Sequence, residues 1–172
     1  MPNWCSNFVI FTGRKGNIEG LYSKLEALKQ QQIDTNGDGV SLLPHDKTNR
    51  YMFHLDVDEP NDIELSIRFD TKWYISIEDI KAICDKFHVN ITCDYEECGM
   101  GIYGCFQYLY GGLAEFHNEI PDDVMQNVVE DDDGLVTYKD KTYETLYSFI
   151  EEYLDPKKIN VSQYEKENRS PD

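Results

Sequence analysis

Two acidic residues at alternating positions are the first feature of this sequence that could do chemistry. Asp94 and Glu96 stand two residues apart in an alternating stretch, so they share one face of a strand, whereas Glu97 points to the opposite face. A carboxylate pair can act as general acid and base, but with Arg68 on the same sheet it also suits a structural ion-pair cluster. We take the ion-pair cluster as the working interpretation and predict no catalytic residues.

A calcium-loop pattern begins at Asp34 and then fails. Asp34, Asn36, Asp38 and Gly39 match the first half of the loop, but the position that should hold a bidentate carboxylate is His45. Without that ligand the coordination shell is incomplete, so a polar turn is the better interpretation.

The five cysteines do not have zinc-site spacing. Cys93, Cys98 and Cys105 are separated by four and six residues, which does not fit a zinc knuckle. Cys84 and Cys93 occupy apolar positions of a predicted helix and strand, so we expect buried, inert thiols. We predict no metal and no cofactor. An odd number of cysteines indicates reduced thiols and a cytoplasmic protein.

Other nucleophile and phosphate motifs are missing. The four histidines lie outside any G-x-S-x-G motif, and nothing cationic near Cys98 in sequence would activate its thiol. The glycine-rich segment 99–104 lacks the Lys-Ser/Thr pair of a phosphate loop and opens a strand.

Lys72 and Trp73 lie in a short link between a predicted strand and a predicted helix. A tryptophan there can close the edge of the core, or it can line a pocket for a ligand or partner. With Glu96, these two residues form our candidate partner or ligand surface.

The charge balance restricts the partners. The chain has 33 acidic and 16 basic residues, giving a formal net charge of −17. Phosphate groups and anionic lipids attract Lys and Arg, so direct nucleic-acid binding and membrane-surface binding are disfavoured. No apolar run approaches the roughly 20 residues of a spanning helix. The first predicted strand begins at residue 4, leaving no room for a leader peptide ahead of it.

Hydrophobic periodicity predicts an α+β fold. Alternation or apolar enrichment predicts strands at 4–11, 52–57, 63–71 and 89–96, and apolar stripes predict a helix after the first strand and another over 76–87. This βαββαβ order is the ferredoxin-like split β-α-β pattern, an antiparallel sheet with both helices on one face. Ser76 and Asp79 have the spacing of a capping box at the second helix.

The rest of the chain predicts a strand and helix extension. A fifth strand at 104–110 should form a hairpin with the fourth. We also expect a short strand at 135–138, and the stripe over 143–154 predicts a helix. Residues 113–134 give no clear pattern apart from an acidic loop at 130–133. We therefore expect a core at 1–112, an extension at 113–156 packed on it, and a polar tail at 157–172.

Four separated motifs carry a family resemblance. They are Met1-Pro-Asn-Trp-Cys-Ser-Asn7, Leu42-Leu-Pro44, Phe69-Asp-Thr-Lys-Trp73, and Tyr95-Glu-Glu-Cys-Gly99 followed by Gly104. Over residues 1–112 the sequence resembles the Api92-like family of phage and mobile-element proteins, whose domain is described as YubB-like and ferredoxin-like. The resemblance implies a bacterial genome and transfers no catalytic residue or cofactor.

Three function hypotheses remain open. The leading one is a non-enzymatic interaction module that binds a protein or a second copy of itself. The second is an acidic decoy that mimics DNA and occupies a host nucleic-acid-binding protein. The third is a small hydrolase or nucleotide-modifying enzyme that uses Glu96, Asp94 or His54.

Overall fold

The structure is a computed structural model that describes residues 3–42 and 52–155. Its helices and strands are β1 (Trp4–Thr12), α1 (Lys15–Asp34), β2 (Phe53–Val57), β3 (Glu64–Lys72), α2 (Ile77–Phe87), β4 (Asn90–Glu97), β5 (Ile102–Leu109), β6 (Ala114–Glu119), α3 (Asp122–Met125), β7 (Val129–Glu130), β8 (Val136–Tyr138), β9 (Lys141–Tyr143) and α4 (Leu146–Leu154). The predicted tail at 157–172, and Pro44 and His45 of the sequence motifs, lie outside the described residues.

The central sheet is antiparallel and has six strands in the order β2-β3-β1-β4-β5-β6. The first four strands, with α1 and α2 between them, have the ferredoxin-like topology, so that prediction is confirmed. Both helices pack on one face, where Leu65, Ile67 and Phe69 of β3 are at most 4% exposed. The strict alternation of β3 produces this result, since a period of two places every apolar side chain on the same side.

The start of α2 differs from the prediction in one respect. Ser76 is the residue that precedes the first helical turn, but its side chain makes no capping hydrogen bond, so the predicted capping box is wrong. Glu78 and Asp79 still place negative charge in the first turn, where it interacts favourably with the positive end of the helix dipole.

The sheet continues beyond the four-stranded unit. The hairpin of β4 with β5 is confirmed, although β5 begins at Ile102 rather than Gly104. β6 was not predicted because its sequence, Ala-Glu-Phe-His-Asn-Glu, has few apolar residues; pairing with β5 stabilises it instead. β5 lies before residue 112 and β6 lies after it, so the same sheet includes residues on both sides of that position. The predicted division into a core at 1–112 and an extension at 113–156 stays a prediction.

A second core lies on the opposite face of the sheet. Tyr103 and Cys105 of β5 point away from α1 and α2 and pack with Val136, Phe149 and Leu154. These partners come from α4 and from a small three-stranded sheet, β7-β8-β9. The short strand predicted at 135–138 is confirmed at Val136–Tyr138.

The last helix is shorter than the apolar stripe predicted. Tyr143 belongs to β9, and α4 begins at Leu146. The reason is a capping box at Thr145, whose side chain accepts a hydrogen bond from the Ser148 backbone N–H while Ser148 Oγ accepts one from the Thr145 N–H. Within 3–42 and 52–155, no helix is both long and apolar enough to cross a bilayer.

Candidate functional site

The candidate site is a groove on the face of the sheet that α1 and α2 leave uncovered. We call it the open-face groove. It has a volume of about 600 Å³ and runs between α4 and the exposed faces of β1, β3 and β4. The side chains that point to this face or come from α4 are Ser6, Phe8, His54, Arg68, Asp70, Asp94, Glu96, Tyr103, Tyr147, Ile150, Glu151 and Leu154.

Asp70 is fixed at one end of the groove by two neighbours. Ser6 Oγ donates to Asp70 Oδ1 at 3.0 Å, and His54 Nδ1 lies 2.8 Å from Asp70 Oδ2. Because a carboxylate can only accept, Nδ1 of His54 carries the proton in this contact. His54 sits at an irregularity in the pairing of β2 with β3 and has a φ of 50°, a conformation that is uncommon for a non-glycine residue.

Arg68 and Glu96 each have defined contacts in the groove. The Arg68 guanidinium lies 5.0 Å from the centre of the Phe8 ring and 3.7 Å from Asp58 Oδ2. Glu96 Oε1 accepts a hydrogen bond of 3.4 Å from the Tyr147 hydroxyl, which connects β4 with α4. The groove therefore combines carboxylates with aromatic side chains, among them Phe8 and Tyr147.

The strand geometry predicted for the carboxylates is confirmed. Asp94 and Glu96 are half-buried on the open face, and Glu97 lies on the helix-covered face with 3% exposure. Arg68 lines the same groove as Asp94 and Glu96, and its ion pair is with Asp58.

The three predicted surface residues are not brought into one cluster. Glu96 lines the groove, whereas Lys72 and Trp73 do not. Lys72 instead contacts one of a pair of aromatic side chains. Its Nζ is 4.9 Å from the centre of the Phe53 ring, and that ring packs edge-on against Trp4. Trp73 is 55% exposed with a φ of 72°, so it does not close the edge of the core.

A second polar cluster lies on the other face and was missed by the sequence analysis. The Tyr95 hydroxyl donates to Glu119 Oε2 at 2.9 Å, and the Tyr74 hydroxyl donates to the same oxygen at 2.7 Å. His117 Nε2 lies 2.6 Å from the Tyr95 oxygen and donates to it, since the only hydroxyl proton of Tyr95 goes to the carboxylate. Burial, and then the hydrogen bonds with Tyr74 and Glu119, raise the pKa of Tyr95.

The cysteines are mostly buried, as predicted. Cys5, Cys84, Cys93 and Cys105 are buried, and only Cys98 is exposed among the free thiols that the structure describes. Burial raises the pKa of the Cys5 thiol from 9.0 to about 11 and also raises those of Cys84 and Cys93. Thiols with raised pKa values are poor nucleophiles at neutral pH.

The calcium-like segment follows the end of α1. The helix continues through Asp34, the first residue of the pattern, and Thr35 ends it with its backbone N–H on Gln31 O. Asn36 and Gly37 then have positive φ values of 58° and 93°. Over 3–42 and 52–155, no three His, Cys, Asp or Glu residues are grouped as metal ligands.

Comparison with known proteins gives one family and one solved structure. Residues 52–139, from just before β2 to just after β8, match the model of the ferredoxin-like domain in Api92-like protein. No curated protein matches the sequence. A phage SAM lyase in complex with S-methyl-5'-thioadenosine is 13% identical, with 70% of this chain and 92% of that chain covered and a TM-score of 0.29.

The family match is the more informative of the two results. It extends from the second strand of the ferredoxin-like unit through β5 and β6 into the small sheet, so it includes Glu96 and also Tyr95 with its partners His117 and Glu119 on β6. It agrees with the topology observed and covers more than half of the sequence. The chain therefore belongs to the Api92-like family and contains its ferredoxin-like domain.

Proposed function

We propose that this Api92-like protein is a non-enzymatic protein-interaction module and that the open-face groove is its binding surface. The observation that carries the proposal is the groove itself, about 600 Å³ on a sheet face that α4 covers only in part. Its lining combines aromatic side chains with charged groups, as the contact regions of protein interfaces commonly do. An interaction module needs no catalytic group, which agrees with the absence of a nucleophile motif from the sequence.

The binding surface extends past the groove towards the aromatic corner formed by Trp4 and Phe53. Trp4 is 38% exposed, and its ring lies 5.6 Å from that of His54, whose side chain lines the groove, while Lys72 lies over the Phe53 ring. Exposed aromatic side chains next to a groove are frequent anchors in interfaces. Glu96 and Lys72 are therefore proposed contacts, and Trp73, at 55% exposure, is a further one.

Site-specific photocrosslinking tests this proposal. A photoreactive phenylalanine analogue replaces Tyr147, which is 62% exposed in the groove, or Ile33, which is 63% exposed near the end of α1. In cells that naturally carry the protein, we expect a discrete protein adduct from position 147 that Glu96→Lys abolishes, and none from position 33. The proposal fails if position 147 gives no adduct, or if both positions give the same one.

One observation favours a hydrolase as a second candidate. The imidazole of His54 is oriented by Asp70 at 2.8 Å, and Asp94 and Glu96 line the same groove. A carboxylate that holds Nδ1–H leaves Nε2 to act as a base, as in hydrolases with a His–Asp pair. Turnover of an ester or nucleotide library by the wild type, lost in His54→Gln but kept in His117→Gln, would establish this candidate in place of the module.

The acidic-decoy hypothesis stays a prediction. It requires carboxylates at phosphate-like spacing along one face of the molecule. The open face instead carries positive side chains, Arg68 and Lys72, among its carboxylates.

A further inference from the structure

The open-face groove contains more negative than positive charge. Asp70, Asp94, Glu96 and Glu151 line it, against Arg68 and His54. Arg68 is already engaged by Asp58 and by the Phe8 ring. A positively charged partner group in the groove would meet Glu96 and Glu151 at short range, where attraction is strongest.

Carboxylates from β4 and α4 share the groove with apolar side chains. Glu96 projects from β4 and is positioned by Tyr147, while Glu151 is exposed on α4. Phe8 and Ile150 are half-buried in the same lining. Arg and Lys side chains suit such a surface, since their aliphatic stems pack on apolar groups and their charged ends reach carboxylates.

Charge also argues against the other occupants. A second copy of this chain would add another net charge of −17, and nucleic acid would bring phosphates towards Asp94 and Glu96. A protein segment rich in basic residues has the complementary sign. It can also place apolar residues on the aromatic lining.

We propose that the occupant of the open-face groove is an extended segment of another protein in which Arg or Lys residues alternate with apolar residues. This inference rests on the proposed function. The cationic side chains bind Glu96 and Glu151, and the apolar residues contact Phe8 and Ile150. This proposal names the chemistry of the partner and is separate from the question whether any protein binds at the groove.

Fluorescence anisotropy with defined peptides tests the occupant. The probes are labelled synthetic peptides in which Arg alternates with Leu or Val, and a matched set with Gln in place of Arg. We expect the Arg peptides to bind and the Gln peptides to bind at least tenfold more weakly. Glu96→Gln should weaken binding of the Arg peptides about fivefold, the effect of losing roughly 1 kcal/mol from one charge pair. Raising the salt concentration should weaken it further.

Glu19→Gln is the matched control, because Glu19 is exposed on α1 and its loss changes the net charge equally. Equal weakening by Glu96→Gln and Glu19→Gln would overturn the proposal, as would equal binding of Arg and Gln peptides. Tighter binding of spermidine than of any Arg peptide would also overturn it, in favour of a small cation. A crosslinked partner at position 147 combined with no Arg-peptide binding would contradict this inference but leave the interaction module standing.

Discussion

The ring of Tyr95 lies across Gly104 on the neighbouring strand. The two residues are directly opposite in the β4–β5 pairing, and a Cβ atom on Gly104 would fall 2.3 Å from both Cζ and the hydroxyl oxygen of Tyr95. This approach lets the hydroxyl reach Glu119, which is paired with Gly104 on its other side. One glycine thus allows a hydrogen bond to span three strands.

Gly104→Ala should destabilise the fold. The new methyl group must displace a 3% exposed ring, so we expect the free energy of unfolding to fall by about 1–3 kcal/mol, the range for overpacking a core. Urea denaturation measures the effect. The control is Gly20→Ala in α1, where a Cβ meets nothing within 4 Å and helix propensity should raise stability by about 0.5–1 kcal/mol. A neutral Gly104→Ala variant would contradict the packing described.

Tyr95→Phe should cost about 1–3 kcal/mol of unfolding free energy. It removes the hydroxyl that joins His117 to Glu119 and leaves partly buried polar groups without that partner. Tyr147→Phe removes a hydroxyl that is largely exposed and makes only a 3.4 Å bond, so it should cost less than about 0.5 kcal/mol. Equal costs for the two variants would show that the Tyr95 hydrogen bonds contribute no more than a surface contact.

Phe149→Ala should disrupt the second core selectively. Phe149 is 1% exposed and packs against Tyr138, Tyr143 and Tyr153, so its truncation should cost about 3–5 kcal/mol. Hydrogen exchange should show faster amide exchange in β8 and α4 than in β1 and β3. Leu135→Ala, at a position that is 40% exposed, is the control and should leave exchange unchanged. Uniform loss of protection over the whole sheet would mean that the two cores do not unfold separately.

Stability should fall as the pH rises above about 9. Burial raises the pKa of the Cys5 thiol from 9.0 to about 11 and also raises that of Cys84. Between the unfolded and folded pKa values, the folded chain keeps a proton that the unfolded chain releases. The free energy of unfolding therefore decreases with pH, by up to about 1.4 kcal/mol per pH unit for each such group.

Urea midpoints measured between pH 8 and pH 11 test this dependence. Cys84→Ala should make the decrease less steep, and Cys98→Ala, which removes an exposed thiol, is the control. A flat profile would show that burial of the thiols is not maintained.

The sequence was sufficient for the four-stranded unit because its signals are local. The alternation of Leu65 to Thr71 and the apolar stripes of α1 and α2 directly determine which faces are buried, whereas Ile63, just before β3, is 65% exposed. β6 depends on pairing with β5, and its sequence has no alternating pattern strong enough to reveal it.

The open-face groove could be predicted only in part for the same reason. The alternation of β4 placed Asp94 and Glu96 together, but Ser6, Asp70 and Tyr147 come from β1, β3 and α4. They meet because of the strand order and because α4 packs on Tyr103 and Cys105. No local pattern encodes either arrangement, so these residues were not identified from the sequence.

Amide chemical-shift mapping with an Arg–Leu peptide tests the central claim most directly. In a titration of the isotope-labelled protein, we predict the largest shifts at Phe8, Glu96, Tyr147 and Glu151, which line the open-face groove, and small shifts along α1. In the Glu96→Gln variant, the same groove resonances should shift with a higher Kd. Largest shifts along α1 or α2, or no shifts at a peptide concentration where the anisotropy saturates, would contradict the assignment of this groove as the binding surface.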